Sequence, residues 1–348
     1  MKSAKLLAVF CLGLLLMPAI VHAGNASKRG TAGALEILLP VGGRGTALAG
    51  TASASMVGVE AIHWNPAGLS RGWGDRSIEA MFSHMNYFAD IKLDYAALGW
   101  NIGDFGTLGL TFRTVNFGDI AETTEDMPEG TGRLFSPTYF TLGVTYSKML
   151  TDRIYIGFTG KFISESILRT NASGFALDGG VIYYVGGNDA WSGLHFGVVL
   201  KNIGPNMTYT GAELEESMVP PGSAPGAAAD PLEHVAQSFE LPSSFALGIG
   251  YDYRFDEAVR GTLMGEFENI NFGNDRYRIG GEVAYNEQFF LRGGFQGTDG
   301  SSNEYIWGPS FGAGVMLPLG SVGIVVDYAY QTTDVFQGTN TFSLLIRF

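Results

Sequence analysis

The chain has 348 residues, of which 21 are Lys or Arg and 34 Asp or Glu, for a formal net charge of −13. That balance excludes a nucleic-acid binder, because phosphate recognition needs clustered cations. Fifty Gly beside 24 Phe and 15 Tyr, with only 16% charged residues, exclude a flexible Gly-rich chain, which would be poor in aromatics.

In chain order, Lys2 and Lys5 form a basic head, Leu6 to Pro18 an apolar run, and Val21, His22 and Ala23 a stretch that ends on a small residue. This predicts a secretory signal over residues 1–23, cleaved near Ala23. The single cysteine, Cys11, lies inside it, so the mature chain has no thiol or disulfide. Beyond it no apolar run approaches the ~20 residues of a spanning helix.

Residues 24–76 lack a strand period. They hold "LLPVGGRGTALAGTASASMVG" and then "EAIHWNPAGLSRG", both rich in small residues. Pro66 disfavours helical geometry at Asn65 and suits the first helical position itself. Asn65 then caps a short helix through its side-chain oxygen, and Trp64 and Leu69 are spaced as a hydrophobic staple. The expectation is a compact element packed against other backbone inside a barrel.

From residue 77 the pattern changes to period two. In "FALGIGYDY", Phe245, Leu247, Ile249, Tyr251 and Tyr253 share one face and Ala246, Gly248, Gly250 and Asp252 the other. One wholly apolar face marks a strand with one side in a nonpolar medium. Fourteen such strands are predicted, near 77–86, 91–100, 106–116, 138–149, 153–165, 173–185, 191–201, 242–254, 259–269, 276–285, 288–297, 307–317, 321–331 and 339–348. Most have the length that a tilted strand needs to cross a bilayer.

Tight turns such as "NIGDF", "LTD", "GGNDA" and "LGS" follow the even strands. Longer links, including 117–137 and the Pro- and Ala-rich 203–241, follow the odd ones. Alternating short turns and long loops is the habit of outer-membrane barrels. The fold expected is therefore all-β: a 14-stranded antiparallel transmembrane β-barrel over 77–348, with residues 24–76 as a hatch in its lumen. The last strand alternates Phe342, Leu344, Ile346 and Phe348, the form of a signal to the outer-membrane insertion machinery. Tyr87, Trp100, Trp191 and Trp307 are placed near strand ends, as interfacial girdle residues are.

"PVGGRGTALAGTASASMVGVEAIHWNPAGLS", residues 40–70, resembles the N-terminal signature of the PorV/PorQ family, relatives of the FadL-type outer-membrane transporters. The resemblance implies a 14-stranded barrel plugged by a hatch whose motif here comprises Gly43, Gly45, Gly50, Trp64, Asn65, Pro66, Gly68 and Leu69. PorV-like members receive exported proteins in type IX secretion; FadL-like members pass hydrophobic small molecules sideways through the wall. A secretion or surface-assembly role leads in this reading, with exported proteins as partners. A transporter of fatty acids or other apolar molecules is the alternative.

Strand register turns Arg113, Lys161, Asp178, Asp252, Glu266, Arg278, Glu282, Arg292 and Asp327 inward. A one-residue slip would put any of them in lipid at ~2–4 kcal/mol. Facing one interior, they read as structural ion pairs. Acidic residues in 117–137 match no calcium loop. His63, His84, His195 and His234 have no paired ligand spacing, and no nucleophile elbow, phosphate loop or dinucleotide fingerprint occurs. The reading is thus a non-enzyme with no metal and no cofactor, embedded in outer-membrane lipid.

Overall fold

The computed structural model describes residues 28, 30–185, 193–219, 222–224, 228–299 and 306–348. The signal region 1–23 with Cys11, the "GGNDA" turn and Trp191 lie outside the described residues. Fourteen strands build the wall. They are β1 (Ile78–Asn86), β2 (Lys92–Asn101), β3 (Thr107–Asn116), β4 (Thr138–Thr151), β5 (Ile154–Ile167), β6 (Thr170–Tyr184) and β7 (Leu194–Ile203). The second half comprises β8 (Ser244–Arg254), β9 (Val259–Ile270), β10 (Arg276–Tyr285), β11 (Phe289–Thr298), β12 (Trp307–Leu319), β13 (Val322–Thr333) and β14 (Thr339–Arg347).

Each strand pairs antiparallel with its sequence neighbours, and β14 pairs with β1 from Glu79↔Arg347 to Asn86↔Asn340. The sheet therefore closes on itself, which leaves no free edge. Burial alternates with period two. Side chains such as Phe158, Phe175, Leu263 and Leu291 stand exposed on the outside, Leu291 at 69%, while their sequence neighbours are buried or, at Phe290, half-buried. An outer face this apolar suits hydrocarbon and not water. No helix among the described residues is long and apolar enough to cross a membrane.

Residues 34–73 pack against the inward faces of the wall. They contain two short helices, α1 (Gly43–Ala47) and α2 (Ala61–Trp64), and 3-10 turns at Leu35–Leu38, Gly58–Glu60 and Pro66–Ser70. Val41, Val59, Ile62, Leu69 and Trp73 meet Met81, Met85, Leu93, Tyr95 and Val115 of β1–β3 in one apolar cluster. Ala34 and Ile37 meet Ile163, Ala172 and Ala176 of β5 and β6 in another.

Three expectations need correction. The loops do not alternate throughout: β5 and β6 run on until only residues 168–169 join them, where a longer link was expected. Link 203–241, expected from its Pro- and Ala-rich, aperiodic sequence to be a mobile external loop, carries local structure. Met207 bridges to Phe239 and is buried in the second cluster, and Glu215–Met218 pairs with Asp230–Glu233. Tyr87 and Trp307 are not lipid-girdle residues, because they face inward and their rings lie 5.9 Å apart. The cause for Trp307 is register: it pairs with Thr333, which shares a face with inward Gln331. Trp100 is 56% exposed on the outside.

Candidate functional site

Asn65 is the most fully engaged polar residue of the motif. It is wholly buried, and its side-chain oxygen accepts from the Ala67 amide at 3.1 Å, capping the Pro66–Ser70 turn with Pro66 at the first position. Its amide nitrogen donates to Ser53 O at 2.7 Å and lies 3.3 Å from both Val181 O and Val198 O on the wall. One side chain thus fixes the turn, the preceding loop and two strands. Trp64 and Leu69 do not staple: Leu69 joins the β1–β3 cluster, while Trp64 packs with Leu48, Ala52 and Met56.

The glycines are where backbone meets side chain or backbone. A Cβ on Gly45 would overlap the Trp64 indole, and one on Gly68 the carbonyl of Met56. Gly50 has φ +79°, a conformation that costs an L-residue strain. A Cβ on Gly43 would come within 2.9 Å of the Asp327 side chain.

The inward charges fall into three groups. In the first, Glu282 accepts from Arg44 Nε at 3.0 Å and Arg292 Nε at 2.7 Å, and Arg292 also reaches Asp327. Arg260 adds a contact to Glu282 at 3.2 Å. In the second, Arg278 bridges Glu266 at 2.8 Å and Glu268 at 2.5 Å, and Glu266 accepts the Ala52 and Ser53 amides. In the third, Lys161 contacts Asp178 at 2.5 Å and Asn202, whose amide donates to Asp178 at 2.8 Å. Asn202 has φ 59° at a bulge in β7, so this pair holds a kink. Arg113 serves backbone, donating to Glu36 O and Leu39 O at 3.1 and 2.6 Å. Asp252 stays half-exposed beside Thr262.

Burial sets the protonation of the segment's own groups. His63 is held well below the usual imidazole range by burial and by Lys201 and Arg113, so it is neutral. Burial, and then Asp327, raise the Glu60 carboxyl. Burial would lower the Arg44 guanidinium, but Glu282, Glu60 and Asp327 drive it up instead. Glu36 is pushed up to about 8 by burial and by Glu165, against its own amide and Arg113.

Several lumen charges were missed by register counting. Glu165, Lys201 and Glu268 share parity with Lys161, Val199 and Glu266, and Glu79 and Arg347 meet across the closing seam at 3.5 Å. Parity was the available signal; these residues sit near strand ends, where boundaries blur.

Two cavities open at the loop end. One, of about 540 Å³, is lined by Leu35, Leu39, Tyr87, Ile91, Val115, Phe117, Tyr139 and Phe239, with Glu36, Glu165 and Tyr209. The other, of about 250 Å³, runs past Trp64 and Tyr87 to Gln296 on β11 and Trp307 on β12. Among the described residues these two strands pair only from Phe289↔Val315 to Gly294↔Ser310. The next register partner of Phe295 is Pro309, which has no amide to continue the ladder. The wall is therefore unpaired beside this cavity. A third cavity, of about 270 Å³, opens at the turn end among Arg44, Arg71, Glu60, Glu282 and Glu287.

The chain is similar in structure to the toluene transporter TodX of Pseudomonas putida. The alignment covers 88% of this chain and 96% of that one, with a TM-score of 0.54 and 12% identity. A TodX mutant described as a monoaromatic hydrocarbon channel aligns over 87% and 97%, with a TM-score of 0.53 and 12% identity. A FadL homologue of Pseudomonas aeruginosa aligns over 89% and 98%, with a TM-score of 0.48 and 12% identity. No family model matches the chain, and the search of curated proteins finds no match. At these identities the two TodX alignments establish the barrel fold and nothing finer.

Proposed function

We propose that the chain is an outer-membrane barrel that takes small hydrophobic molecules into its outer mouth, with residues 24–76 as a lumenal plug. The observation that carries this is the apolar cavity between the N-terminal segment and β1–β5, floored by Leu39, Val115 and Phe117. A mouth of this kind suits an apolar guest, because water there gains few hydrogen bonds. The neighbouring cavity leads to the unpaired β11–β12 seam, a way sideways out of the wall that avoids the charged lumen. The exporting signal and the Phe342, Leu344, Ile346 and Phe348 face fit delivery through the insertion machinery.

The fold similarity to TodX supports this transporter reading over the secretion role. That role rests on the resemblance in residues 40–70 alone. The test is uptake of radiolabelled toluene and naphthalene by proteoliposomes holding the full chain. Saturable uptake that falls when Val115→Trp fills the cavity is the expected result. Uptake equal to that of empty liposomes would sink the reading.

A further inference from the structure

The larger loop-end cavity carries chemistry beyond its apolar lining. Glu36 from the N-terminal segment and Glu165 from β5 both line it, and among the described residues no Lys or Arg does. The two residues are 8% and 2% exposed, and their carboxyls, which no Lys or Arg side chain among the described residues bonds, hydrogen-bond to one another. Glu165 Oε2 takes the Tyr209 hydroxyl, and the Tyr139 and Tyr209 oxygens lie 3.4 Å apart.

The nearest cations are committed elsewhere. Arg113 directs its guanidinium at the Glu36 and Leu39 carbonyls and at His63, and Lys28 is held by Glu240 at 3.0 Å. Two buried acids that share a proton lack, among the described residues, a bonded partner that carries positive charge. An entering carboxylate would lose its hydration and meet like charge where screening is weak.

We infer that this cavity binds hydrophobic amines, seating the ammonium against Glu36 and Glu165, and turns away hydrophobic carboxylates of the same shape. The inference rests on the reading of the barrel as a carrier of small hydrophobic molecules, and it names the class of molecule. An ammonium has three donors, enough to bond both carboxyls in place of the proton they share, which leaves to solvent. The rings of Phe117 and Tyr139, at 4.8 Å, are placed to pack the apolar body and face the charge.

The test uses the full chain in an uncharged detergent and three naphthalene probes of similar size, titrated calorimetrically near neutral pH. The probes are 1-naphthylmethylamine, 1-naphthylmethanol and 1-naphthoate. The amine should bind about tenfold or more tightly than the alcohol, the scale of one hydrogen bond to a charged group, with naphthoate weakest. Glu165→Gln and Glu36→Gln should each bring amine and alcohol within about threefold of one another. Heat-modifiable gel mobility reports folding, and Glu36→Gln, which lies outside the wall, serves if Glu165→Gln misfolds. Naphthoate binding as tightly as the amine, or an amine preference intact in both variants, overturns this inference and leaves the transporter reading standing. Binding of none of the three overturns both.

Discussion

Both sides of the lumen hold the same N-terminal segment against glycine, and one side adds charge. On the β5–β7 side the contact is steric. Gly157 faces the Pro66 carbonyl, Gly180 the Asn65 side-chain oxygen and Gly197 the Ser53 carbonyl, each so close that a Cβ would overlap. On the β9–β13 side Gly294 meets Leu48 and Gly312 meets Ala47 as closely, and charge is added: Arg44 and the amides of Ala52 and Ser53 end on Glu282 and Glu266. Backbone against glycine fixes a distance and tolerates almost no substitution. A charge network fixes a balance, and it fails when one sign is removed. The abundance of Gly in this chain thus has a structural use beyond turns.

The sharpest way to break the electrostatic side is Glu282→Gln. It leaves Arg44, Arg260 and Arg292 without their shared anion, and a broken buried pair costs ~3–5 kcal/mol. A lower urea midpoint for unfolding from lipid vesicles would report it. On the steric side, Gly180→Val drives a methyl into Asn65, an overpacking of ~1–3 kcal/mol. If contact with Asn65 is the cause, Gly180→Val combined with Asn65→Ala should cost less than the two changes summed. Additive losses would count against that contact. Pro309→Thr returns an amide opposite Phe295, and one more ladder bond adds ~1 kcal/mol. Stability should rise slightly while toluene uptake slows.

The smallest effect is one of pH. Glu36 sits at the outer end of the segment, facing Glu165 with Arg113, Tyr139 and Tyr209 around it. Its carboxyl is raised from 4.5 to about 8, so the docked segment binds the proton better than a released one. Docking strength is then full below 4.5, declines as pH climbs toward 8 and is flat above. The protection factor of residues 30–40 in hydrogen exchange, with the intrinsic base catalysis divided out, should be higher at acidic than at alkaline pH, and Glu36→Gln should remove the difference. A pH-independent protection factor in the unsubstituted chain would count against this docking account.

How much of this was legible depends on which residues meet a uniform medium. All fourteen strands could be read, because lipid on one side imposes strict alternation, as in Val322 to Gln331. Nine inward charges followed from the same parity. The meeting of β5 and β6 across residues 168–169 was not legible, because Ile163 to Ile167 continues beyond any membrane constraint. Nor was the inward turn of Tyr87 and Trp307: an aromatic at a strand end reads alike whether it caps a mouth or faces a headgroup. Glu36 passed unnoticed because its segment has no period, and its partner Glu165 lies 129 positions away in sequence, a pairing that only the closed barrel creates.

The closing seam constrains the order of assembly. Gly42 donates its amide to Ser83 of β1 and Gly43 donates to Ser343 of β14, the latter across a separation of 300 residues. These adjacent glycines therefore straddle the join between the earliest and latest strands of the wall. Contacts so remote in sequence form late, since the loop entropy must be met first. A segment that bonds both lips of the seam from inside is a clasp on the closed ring: its docking and the meeting of the last two strands strengthen one another.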